Sequence, residues 1–82
     1  MTLEQERMDM LTQAAEHRAK EVMHHQINID NYTLAIAEID ANHSGDAEMA
    51  EFAGRLSELL HSSKREQARE AVMLKVIKFQ LG

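Results

Sequence analysis

The chain contains no cysteine, no proline and no tryptophan, and only three glycines, one tyrosine and two phenylalanines in 82 residues. Without cysteine there is no disulfide framework, so a fold this small must gain its stability from packing, a metal or a partner subunit. A cysteine-free chain fits a reducing compartment, and a cytoplasmic location is the expectation. Long hydrophobic runs are also missing. Near the C-terminus the longest is Ala71 to Leu74, far too short to span a bilayer. The N-terminal stretch Met1-Thr-Leu-Glu-Gln-Glu is acidic where a signal peptide would be apolar. No membrane association is therefore expected.

Chemistry-bearing motifs are equally scarce. There is no glycine-rich phosphate loop and no nucleophile–base grouping. His43 and Ser44 are neighbours in a turn, which by itself means nothing mechanistically. No cofactor and no enzymatic activity are expected. Six methionines, at 1, 8, 10, 23, 49 and 73, are read as helix filler before they are read as an adaptable binding surface.

What the chain does have is a rhythm. Alternating steps of three and four pick out Met8, Leu11, Ala15, Arg18, Val22, His25, Ile29, Tyr32, Ile36 and Ile39. Such spacing holds side chains on one face of a helix, and its strict seven-residue repeat is the seam of a coiled coil or bundle. The same rhythm returns in Met49, Ala53, Leu56, Leu60, Ser63, Gln67, Glu70, Leu74, Ile77 and Leu81. Between the two runs lies Asn42-His-Ser-Gly-Asp46, the one strong turn. There Gly45 can take positive φ, and Ser44 or Asp46 can cap the following helix. With Ala, Leu, Glu, Gln, Met, Lys and Arg dominating, the expected class is all-α. The expected architecture is a single domain built as a long antiparallel hairpin, with helices at about 3–41 and 46–80.

Three details test that reading. Thr2 followed by Gln5 forms a capping box at the start of the first helix. Asn28 to Thr33 lowers helix propensity, yet Ile29, Tyr32 and Ile36 hold the seam across it. Ser62–Ser63 is a candidate break in the second helix, with Ser63 and Glu66 forming another capping box. Without Gly or Pro there, continuity is expected.

Charge divides the chain. Residues 1–58 carry twelve acids against four bases, and residues 59–82 five bases against two acids, within an overall net charge of −5. Ends of opposite sign favour antiparallel or intermolecular packing. Over Ala68 to Leu81 the apolar arc is wide, because Val72, Val76 and Phe79 form a row beside Leu74, Ile77 and Leu81. One partner helix cannot cover so wide an arc. A homodimer, as a four-helix bundle or coiled-coil-like assembly, is therefore expected. Its interface would use Leu11, Val22, Ile29, Tyr32, Ile36, Ile39, Leu56, Leu60, Val72, Val76, Phe79 and Leu81. Arg18 and His25 on the seam would help fix register, and His25 would make association sensitive to pH.

Two further constellations carry weaker signals. Glu21–His24 and Glu58–His61 are Glu-x-x-His pairs of the kind used in metal-binding bundles. Ten Glu and five His in 82 residues yield about 0.6 such pairs by chance, and Glu58 and His61 lie off the seam. A metal site there is the remote alternative. Lys64, Arg65, Arg69, Lys75 and Lys78 could contact RNA or DNA, but the chain lacks a domain-wide basic footprint. The expected function is that of a small regulatory or accessory interaction protein, of the kind bacteria and phages encode, with an unidentified protein as partner.

Overall fold

The computed structural model describes residues 2–82; Met1, and with it the first of the methionines named above, lies outside them. Two helices account for nearly all of the described chain: α1, Leu3–Asn42, and α2, Ala47–Leu81. Among the described residues there is no strand. The hairpin is a rod 64 Å long and 16 by 14 Å across, with a radius of gyration of 18.6 Å. A compact chain of this length would have a radius near ~12 Å.

Local chemistry explains where the helices begin and end. Thr2, in extended conformation, accepts a hydrogen bond from the Gln5 N–H at 3.1 Å through its hydroxyl. That satisfies one of the first-turn donors that a helix leaves unpaired. At the far end the His43 N–H donates to the Ile39 carbonyl at 2.8 Å, after which Gly45 turns the chain with φ +94°. A side chain at that φ meets its own backbone, which is why glycine occupies the corner. Of the two capping candidates, Asp46 is the one used. Its carboxylate accepts from Glu48 N at 3.0 Å and Met49 N at 3.2 Å.

Neither suspected weak point interrupts a helix. At Asn28–Thr33 the competing side-chain bonds fold back into the helix itself. Thr33 Oγ1 donates to the Ile29 carbonyl at 2.7 Å, and Gln26 Nε2 to Asp30 at 2.9 Å. α2 runs unbroken through Ser62 and Ser63.

Every residue of both seven-residue patterns is buried or half-buried. The core is nevertheless thin. Among the described residues only Ile29, Ile39, Leu56 and Ile77 are buried, each still 6–9% exposed, while eleven large apolar side chains stay exposed. The accessible surface of 6354 Å² exceeds by roughly 1,400 Å² that of a compact protein of 9.3 kDa.

Candidate interaction surface

Any site in this molecule must lie along the seam, on the sides of the hairpin or on its two backs. The seam changes character along its length. Near the turn it is aliphatic, with Ile29, Ile36 and Ile39 of α1 and Leu56 and Leu60 of α2 all buried or half-buried. Midway along the rod it becomes polar, before Met8, Leu11, Leu74, Ile77 and Leu81 make it apolar again toward the open end, where both chain termini lie. In the polar stretch Arg18 Nη1 reaches both oxygens of Glu70, at 3.1 and 2.9 Å, across 52 residues of sequence. Gln67 donates through Nε2 to the Val22 carbonyl at 3.2 Å and to Gln26 Oε1 at 2.8 Å. His25 sits on the same seam with Nδ1 shielded from solvent and without a hydrogen-bond partner among the described residues. Its ring stacks on His24, with centroids 6.0 Å apart. This polar stretch ties the register of the two helices and binds them less tightly than an aliphatic seam would.

Nine of the residues expected at a subunit interface are used inside the hairpin. Leu11, Val22, Ile29, Tyr32, Ile36, Ile39, Leu56, Leu60 and Leu81 all lie on the seam between α1 and α2. Val72, Val76 and Phe79 do not. They occupy the back of α2, away from α1, with Val72 60% and Phe79 86% exposed.

The basic residues lie on this back and on the flank beside it. Lys64, Arg65, Arg69, Lys75 and Lys78 are all exposed. Both acids of this stretch are engaged. Glu70 is held by Arg18 across the seam, and Glu66 accepts from Arg69 at 2.8 Å. Lys75 borders the patch formed by Val72, Val76 and Phe79, and Lys64, Arg65, Lys75 and Lys78 have no acidic partner among the described residues. The surface is an apolar stripe flanked by basic side chains.

The Glu-x-x-His pairs are not brought together. Glu58, His61 and His24 are exposed and Glu21 is half-buried at the side of α1. Among the described residues no three His, Asp or Glu side chains converge as metal ligands would. Beside the turn an open cleft of about 440 Å³ is lined in part by Asp40, His43 and Ser44. No hydrogen bond links these three side chains among the described residues, and all are exposed.

What fold and surface define together is an extended all-α hairpin with incompletely covered faces. No helix among the described residues is long and apolar enough to cross a membrane. No family model matches the chain, and no curated protein or solved structure shows significant similarity to it.

Proposed function

We propose that this is a non-enzymatic interaction protein. In this reading it works as a homodimer, two hairpins forming a four-helix bundle, and offers its outer helical faces to another macromolecule as a regulatory or accessory factor. One observation carries the proposal: among its described residues the hairpin leaves eleven large apolar side chains in water while burying only four. A chain with so thin a core gains most by covering those faces with a second subunit. Coupled folding and association make the melting temperature rise with protein concentration. A melting temperature unchanged over a thousandfold dilution would contradict the dimer.

The basic flank of α2 supports a second reading, an RNA or DNA regulator. Four basic side chains without acidic partners suit an anionic ligand. Val72, Val76 and Phe79 beside them argue for an acidic protein instead, because a phosphate backbone gains nothing from an apolar patch. Reversing the charges of Lys64, Arg65, Lys75 and Lys78 separates the two. If nucleic acid is the ligand, a salt-sensitive mobility shift of labelled RNA or DNA exists and is lost in that variant. No shift at low salt leaves the protein–protein reading.

A further inference from the structure

Within the hairpin, the positions one before Met8, Ala15, Val22, Ile29 and Ile36 in α1, and one before Ala53, Leu60, Gln67, Leu74 and Leu81 in α2, lie on one side of the plane of the helices. The Arg7–Gln80 hydrogen bond of 2.8 Å bridges the helices on that side. The positions one after the other set of seam residues lie on the opposite side.

The two sides differ sharply. On the first, α2 presents Phe52, Leu59 and Met73 in one column of seven-residue steps, each 42–48% exposed. Glu66, the one charge in that column of α2, is neutralised by Arg69. On the opposite side the corresponding α2 positions are Ala50, Ser57, Lys64, Ala71 and Lys78, all small or charged. Helices that face the core of a bundle are apolar at their two seam positions and at one adjoining position, and α2 meets that requirement on the first side only. α1 presents Arg7, Ala14, Glu21, Asn28 and Ala35 there, so α2 would carry the contact.

Charge adds an orientation. Cut at the helix midpoints, the half of the rod that includes the turn (residues 23–63) carries seven acids and Arg55 alone, a net charge of −6. The open half carries seven acids and eight bases, a net charge of +1. Side by side with turns together, two hairpins would set −6 against −6. Turned end for end, each acidic half lies on a half of the other sign. An envelope 64 Å long and 16 Å across presents roughly 1,000 Å² on one side, against the ~800 Å² each partner contributes to a stable interface.

We propose that a second copy of this chain packs on the Phe52–Leu59–Met73 side, antiparallel, with its turn end against the open end of the first. This rests on the homo-oligomeric reading above and specifies its face and direction. The absence of cysteine makes single-cysteine probes unambiguous. A spin label on Ser44→Cys marks the turn of each copy. Antiparallel packing places the two labels about 50–60 Å apart, the length of a helix of this size, in double electron–electron resonance. A separation below about 30 Å overturns the orientation while leaving the dimer intact. No dipolar signal at high concentration overturns the dimer itself, and the two failures are thereby distinguished.

The face is read separately from thiol alkylation. Leu59→Cys and Met73→Cys should react at least about tenfold more slowly at concentrations where the dimer forms than on dilution, while Ser57→Cys and Ala71→Cys keep one rate. The reverse pattern, or protection of all four alike, overturns the assignment of the face.

Discussion

Gly45 and Gly54 are alike in the sequence and opposite in circumstance. Gly45 holds φ +94°, whereas Gly54 lies within α2, and a Cβ built there meets nothing within 4 Å. Gly54→Ala should therefore stabilise the protein by about 0.5–1 kcal/mol, through the lower entropy of the unfolded chain. Gly45→Ala should destabilise it by about 1 kcal/mol, although the added methyl group also has open space. Chemical denaturation at one fixed protein concentration tests both, and a shared sign would refute the argument. Asp46→Ala removes the acceptor of two backbone N–H groups at the start of α2 and should cost about 1 kcal/mol in the same assay. That Asp46 and not Ser44 caps the helix could not be read from residue types, since both are good caps. The choice is set by where Gly45 bends the chain.

At the scale of the elements, the seam was legible because a seven-residue repeat is local information. All ten positions read in each helix are covered in the folded hairpin. The expectation of a weak point at Asn28–Thr33 rested on propensity, and packing of Ile29, Tyr32 and Ile36 overrides it. Pairing across the seam was not legible. Arg18 meets Glu70, and Gln67 meets Val22 and Gln26, because the turn sets the register, and no local pattern contains that. The basic cluster of α2 was visible in the sequence, but the neutralisation of Glu70 from the other helix was not.

The polar seam carries its own predictions. Arg18 and Glu70 are 34% and 19% exposed, so their attraction is partly screened and partly offset by desolvation. Glu70→Leu alone strands a half-buried guanidinium and should be clearly destabilising. The double variant Arg18→Leu, Glu70→Leu should recover most of that loss. If instead the two single losses simply add, the pair is not coupled. His25→Leu replaces a ring whose Nδ1 has lost water and gained no partner, and should stabilise by about 1 kcal/mol. A lower melting temperature for His25→Leu would show that the ring has a structural role the seam geometry does not account for.

At the scale of the whole molecule, the hairpin is a rod with too much surface for its mass. The wide apolar arc over Ala68 to Leu81 was visible in the sequence, and the structure divides it. Leu74, Ile77 and Leu81 go to the seam, and Val72, Val76 and Phe79 to the back of α2. This division separates two roles that the sequence left merged. The Phe52–Leu59–Met73 side suits a second copy, and the cationic, apolar back of α2 suits an anionic partner. Phe79→Ala should therefore leave self-association within about twofold of the parent chain while weakening capture of an acidic helical peptide. Equal loss of both would place Phe79 in the subunit interface.

The most direct test of the central claim is absolute mass and radius of gyration on one sizing column, by light scattering and small-angle X-ray scattering. A dimer of hairpins gives twice the 9.3 kDa chain mass, with a radius slightly above the 18.6 Å of one rod. A single-chain mass contradicts it. If the radius is also near ~12 Å, the chain has folded back into shorter helices and the hairpin is wrong as well.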